Sequence, residues 1–157
     1  MIEIIFLTHI NASNLNKAEL FVQNFANNAI KILGDETIEI KIKGDQISDH
    51  VLKNVNIDWV ALKLIPKKLW EIDDNKDKQI EYVDSFRTYF TTYLINKLDY
   101  YDQQKILVID SKESKGGKFV IVNSNIINDG IETLTLPIKW ILQVNEEKYQ
   151  IIDLDIE

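Results

Sequence analysis

The sequence predicts an α+β fold, with N-terminal helices packed on one face of a C-terminal antiparallel sheet of four or more strands. Residues 14–103 place their apolar side chains mainly at helical spacing, whereas 104–157 alternate at strand spacing between turn signals. No Pro- or Gly-rich linker separates the two halves, and helices segregated from strands on one chain form the layers of an α+β fold. A length of 157 residues, 45% of them hydrophobic, suits one domain with a sizeable core, taken here as 13–157.

The elements follow in order. The apolar run Met1–Leu7 leads to Ile10-Asn11-Ala12-Ser13, which resembles the end of a secretory signal cleaved after Ala12, although no basic residue precedes it. The alternative is a strand or part of a first helix. Asn16 with Glu19 fits a capping box, Ala18, Val22, Phe25, Ala29 and Leu33 keep helical spacing, and Gly34 marks the stop. Residues 37–43 alternate Ile38, Ile40 and Ile42 with charged residues, predicting a short strand closed by Gly44-Asp45. A short helix is expected from Ser48 through Val55. Asp58 is the expected cap of a helix over 59–65, and Pro66 suits the first turn of another through Trp70. After a polar loop at 73–77 comes the longest helix, 77–99, whose stripe of Ile80, Val83, Phe86, Phe90, Tyr93 and Leu94 is widened by Tyr82 and Tyr89. So much aromatic area needs burial, in an ordinary core or against a ligand.

The back half reads as strands 106–110, 119–127, 133–144 and 149–156, separated by turns at 115–118, 128–130 and 145–148. In the third strand Leu134, Leu136, Ile138, Trp140 and Leu142 share a face, and Pro137 on the other face suggests an edge or a bulge. The sequence ends at Glu157 in mid-strand, which reads as a truncation.

Composition excludes several chemistries. A net charge of −7 with Lys67-Lys68 as the longest basic cluster does not suit nucleic acid. The absence of cysteine removes disulfides, thiolate nucleophiles and Cys-based zinc sites. His9 and His50 stand in no metal-ligand spacing, so no metal site or cofactor is expected. Asp73, Asp74 and Asp77 lack the glycine and terminal glutamate of a calcium loop. Gly116-Gly117 precedes a strand and suits a hairpin turn better than an anion cradle. Asp153, inside an apolar strand, is the one unusual carboxylate, expected to meet a buried donor or a pocket mouth. An excess of apolar and aromatic surface without acid–base chemistry points to a binding module and not an enzyme.

The residues then show a resemblance. Val55-Asn56-Ile57-Asp58-Trp59-Val60-Ala61 followed by Leu69-Trp70 resembles the Asp-x-x-x-x-Ala…Trp segment of MlaC-type periplasmic phospholipid-binding proteins, the toluene-tolerance family. Gln79-x-x-x-Tyr82-x-x-x-Phe86-x-x-Tyr89-Phe90 is similar to the element that follows there. Val120-Ile121-Val122-Asn123-Ser124-Asn125-Ile126 is similar to the family's Val-x-Val-x-Ser-x-Ile strand, and Tyr149–Glu157 to its last strand. The order holds from about Phe21 to Glu157. Ile65-Pro66 replaces the usual Leu-Gly, Tyr149 replaces a tryptophan, and the Gly-Val-Ser segment and final helix that normally follow are absent.

The resemblance implies a cleaved signal, a periplasmic location, and an NTF2-like cone enclosing an apolar pocket. It implies phospholipid as cargo, carried between an outer-membrane lipoprotein complex and an inner-membrane ABC transporter with its MCE-domain ring, in maintenance of outer-membrane lipid asymmetry. The expected lipid-contacting residues are Val120, Val122, Ile126, Ile138, Trp140, Ile152 and Leu154 on the sheet, with Phe25, Trp59, Leu64, Trp70, Phe86, Phe90 and Tyr93 on the helices. Two rival readings are an NTF2-like enzyme using Asp153 with Tyr93 or His50, and a protein-interaction domain with a filled core.

Overall fold

The computed structural model describes residues 3–69, 76–96, 104–128, 135–145 and 148–156, and side chains from Leu15 on apart from Thr135. The chain forms two compact units, one of residues 1–31 with 102–157 and one of 32–101. The fold class is α+β, and the described residues form four α-helices and a four-stranded antiparallel sheet in the order β1-β2-β3-β4.

The first unit combines most of helix α1 (Glu3–Gly34) with strands β1 (Lys105–Glu113), β2 (Phe119–Ile127), β3 (Thr135–Asn145) and β4 (Lys148–Ile156). Asn16 lies inside α1 and does not cap it. From Glu3 to Leu33 there is neither Pro nor Gly to stop a helix, and Asn or Ser in the interior costs only a few tenths of a kcal/mol. Gly34 ends it as expected. Ala18, Val22 and Ala26 recur every four residues and are buried, and their small size lets the helix lie close to the sheet.

Two bulges decide which side chains the sheet turns inward. In β1 the register shifts between Val108 and Asp110, so Ile106, Val108 and Ser111 all oppose inward residues of β2. The alternation that stops at Asp110 in the sequence therefore continues in another phase to Glu113, and β1 is longer than 106–110. In β4, Ile151 pairs with Leu142 while Asp153 pairs with Ile141, leaving Ile152 as the extra residue. Both isoleucines are buried as a result.

β2 occupies 119–127 as predicted, and the turn before it has Gly116 at φ 91° and Gly117 at φ 66°, where a Cβ would be strained. Ser114 closes that turn, its hydroxyl accepting from the Phe119 N–H at 3.1 Å. Pro137 is neither on an edge strand nor at a bulge. β3 is central, and Pro137 pairs in continuous register with Asn125. It is tolerated because it sits at the strand's start, where the described pairing with β4 begins only at Ile138.

The second unit is helical. The alternating segment 37–43 is not a strand: helix α2 spans Ile40–Asn54 and takes in Gly44-Asp45 as well. Gly44, Ile47, Ser48 and Val51 form a buried stripe at helical spacing, and that stripe outweighs the local alternation, leaving Ile40 and Ile42 exposed. A Cβ on Gly44 would stand 3.0 Å from the Ile95 side chain, so the helix backbone approaches its neighbour closely there.

Helix α3 is Ile57–Lys63, and its cap is Asn56, whose side-chain oxygen accepts from the Trp59 N–H at 3.0 Å. Asp58, expected as the cap, sits in the first turn and pairs with Arg87 at 2.7 Å. Only a 3₁₀ turn, Lys67–Leu69, follows Pro66 among the described residues. Helix α4 is Lys76–Ile95, and Arg87 on it also pairs with Asp84 at 2.9 Å. Trp70, most of the 73–77 loop and the expected helix end at 97–99 lie outside the described residues. No described helix is long and apolar enough to cross a membrane.

Candidate functional site

The expected lipid-contacting residues form one group in each unit. On the sheet, register places Val120, Val122, Ser124 and Ile126 of β2 opposite Leu142, Trp140, Ile138 and Leu136 of β3, all on one face. Trp140 and Ile138 in turn oppose Leu154 and Ile156 of β4. Val120, Val122, Ile138, Trp140 and Ile152 are at most 6% exposed, so they are packed core. Ile126 is half-buried, and Leu136, Leu154 and Ile156 are exposed by 39%, 47% and 58%. Most of the accessible apolar surface of this face therefore lies where β2 finishes, β3 starts and β4 finishes, with Val144, 36% exposed, at the other end.

α1 packs on this face and along its edge strand. Phe25 meets Trp140 edge-on at 5.7 Å, and Phe21 lies 5.8 Å from Tyr149. Gln23 holds the helix to edge strand β1 as a neighbouring strand would. Its amide donates to the Ile106 carbonyl at 2.9 Å and accepts from the Val108 N–H at 3.2 Å. Eight residues earlier Leu15 offers its carbonyl to the Ser111 hydroxyl, which also donates to Glu19 at 2.7 Å.

Ser124 has a role that the list of apolar residues missed. It is 2% exposed, and its hydroxyl accepts from the Trp140 indole N–H at 2.7 Å. A buried indole without a partner would be costly, so Ser124 is what allows a tryptophan at the centre of this face. The signal was present in the sequence as one hydroxyl in the inward series Val120, Val122, Ser124, Ile126.

In the helical unit the aromatic residues stack along α4. Tyr82–Phe86 and Phe86–Phe90 have centroids 6.4 and 6.0 Å apart, and Tyr89–Tyr93 lie 6.4 Å apart on a second row. Phe86 and Phe90 are half-buried, whereas Tyr89 and Tyr93 are exposed by 66% and 48%. Trp59 is half-buried under the Lys63 ammonium, 4.3 Å from the ring centre. Leu64 is 65% exposed, and Trp70 is outside the described residues.

Of the residues considered for acid–base work, Asp153 and His50 have described hydrogen bonds, the first through its carboxylate and the second through its backbone. Asp153 is exposed and accepts from the Leu154 N–H at 2.9 Å, beside the β4 bulge, so it meets no buried donor. His50 gives its backbone carbonyl to the Asn54 side chain at 2.7 Å within α2. No group of three or more His, Asp or Glu residues that could hold a metal occurs among the described residues.

A family model described as MlaC protein matches residues 23–157. Among solved structures, the phospholipid-binding protein from Ralstonia solanacearum, determined in complex with a phospholipid, is similar with a TM-score of 0.70. The two are 14% identical, and the likeness covers 89% of this chain and 78% of that one, which is a likeness of fold. No curated protein matches the sequence.

Proposed function

This chain belongs to the MlaC protein family, and we propose that it is a periplasmic phospholipid carrier working between the outer and inner membranes. The observation that carries this reading is the family match across residues 23–157, supported by a phospholipid-bound protein of the same fold. An outer-membrane lipoprotein complex and an inner-membrane ABC transporter with its MCE ring are the partners this reading assigns, with maintenance of lipid asymmetry as the outcome.

The physics asks for a carrier. A phospholipid has about 30 acyl methylenes at roughly 0.8 kcal/mol each, so its tails resist water by about 25 kcal/mol. A carrier must offer apolar contacts nearly as good as the bilayer's, so that docking can tip a small difference. In the first unit the acyl-chain contacts are assigned to Phe25, Ile126, Leu136, Leu154 and Ile156, with Val120, Val122, Ile138, Trp140 and Ile152 as the packed support beneath. In the second they are assigned to Trp59, Phe86, Phe90 and Tyr93, and Trp70 keeps the assignment made from the sequence. The headgroup stays near solvent, because burying its charge without partners costs several kcal/mol.

Native mass spectrometry and lipid extraction of the purified protein test the proposal. The expected result is phospholipid at about one molecule per chain, reduced when Leu154 is replaced by Asp. Recovery of protein without lipid, and no uptake from vesicles, would overturn it. Turnover of a small substrate abolished by Asp153→Asn would favour an enzyme instead.

A further inference from the structure

We infer that the segment Lys63–Leu69 docks the protein directly onto an anionic phospholipid surface. The inference rests on the carrier reading and adds a membrane contact to it. Lys63, Lys67 and Lys68 form the densest run of positive charge in a chain of net charge −7, and residues 59–70 contain no acidic residue. The same seven residues bring apolar side chains to the surface. Leu64 is 65% and Leu69 46% exposed, and Lys63, Pro66, Lys67 and Lys68 are exposed with them.

The backbone there is held in tight turns. The N–H groups of Leu64, Ile65 and Leu69 donate to the carbonyls of Ala61, Leu62 and Pro66 at 3.2, 3.3 and 2.9 Å. Pro66 fixes its own φ between two of these turns, so little conformational freedom remains to be lost on docking. The Lys63 ammonium lies over the Trp59 ring, which holds that charge in place at the exposed end of α3.

This combination suits one occupant. Lysines beside exposed leucines match anionic headgroups above and the acyl boundary below, so each side-chain type meets its complement at a different depth. The rest of the chain is acidic, and an anionic surface repels it. Screening within about 8–10 Å at physiological salt confines the attraction to the contacting segment. Adsorption would therefore be oriented by this segment and weak enough to reverse, as a shuttling carrier requires. Leu64 is assigned by this inference to the membrane contact and not to the cargo.

Vesicle co-sedimentation of the full chain tests it, with phosphatidylglycerol-containing and pure phosphatidylcholine vesicles compared at low and at 0.5 M salt. The expected result is binding to the anionic vesicles alone, weakened by salt. The charge-reversal variant K67E/K68E should bind at least about tenfold more weakly, and L69N a few-fold more weakly at either salt concentration. Circular dichroism and copurified phospholipid should match wild type in both variants. Wild type that ignores anionic vesicles, or K67E/K68E that binds them equally well, would overturn the inference. So would a charge reversal that leaves vesicle binding intact and blocks only transfer to a protein acceptor, since the segment would then meet a protein. Loss of copurified phospholipid from wild type itself would instead strike the carrier reading, whatever the vesicles show.

Discussion

The two units differ in how much apolar surface they bury. The sheet unit packs apolar residues inward, with Val22, Val122, Ser124 and Leu142 fully buried and α1 fastened to edge strand β1 through Gln23 and Glu19. The helical unit buries fewer, chiefly Ile47, Val51, Ile57, Ala61 and Val83, while both units leave large apolar side chains at the surface, such as Leu20, Leu107, Ile109 and Ile156 in the one and Ile40, Leu64, Ile80 and Tyr89 in the other. Its described ion pairs, Arg87 with Asp58 and Asp84, join exposed groups, and such pairs contribute at most about 1 kcal/mol. One unit is thus organised around a dense interior, and the other around a smaller one.

The contrast can be broken most severely at Leu142. Leu142→Ala removes a side chain with no exposed area and should destabilise the protein by about 2–5 kcal/mol in thermal or urea unfolding. A loss below about 1 kcal/mol would mean that the sheet face is loosely packed. Ser124→Ala is the next largest. It strands the Trp140 N–H in the core and should cost about 1–3 kcal/mol, whereas Ser124→Thr, which keeps an acceptor, should recover part of it. An equal loss in both variants would argue that shape, and not the hydrogen bond, sets the position.

The smallest effect sharpens the comparison from the other side. Ser48 in α2 has a buried hydroxyl with no hydrogen-bond partner among the described residues. Ser48→Ala should therefore be neutral or stabilising by up to about 1 kcal/mol, since alanine also favours the helix. A clear destabilisation would show that this hydroxyl has a partner, such as bound water or cargo.

Much of the sheet unit was legible because its signals are local. Strand β2, the Gly116-Gly117 turn and the inward series on β3 follow from period-2 alternation and turn residues alone. The length of β1 was not, because a bulge at Ile109 changes phase and mimics the end of a strand. Pro137 was misplaced for a related reason: sequence shows the missing N–H but not which stretch of β3 has a partner on each side. In the helical unit the Ile38–Lys43 alternation favoured a strand, and the stripe from Gly44 to Val51 reversed that over a longer window. Asn56 and Asp58 are both competent caps, and only the turn's geometry chooses Asn56.

The candidate site was legible as a set of residues and not as a surface. The list of apolar and aromatic positions followed from pattern and from family resemblance, yet it could not separate Val122, fully buried, from Leu154, nearly half exposed. Both alternate inward on their strands and read identically one residue at a time.

By itself the sequence determined the α+β class, the four strands, the aromatic stripe of α4 and the concentration of lysine between 63 and 68, because each depends on spacing along the chain. Tertiary structure alone decided which residues of the sheet face are covered, that Ser124 satisfies Trp140, and that Asp153 serves its neighbour's backbone at the surface. Those outcomes depend on which side chains meet across strands and layers, and exposure is a property of what lies opposite a residue in space.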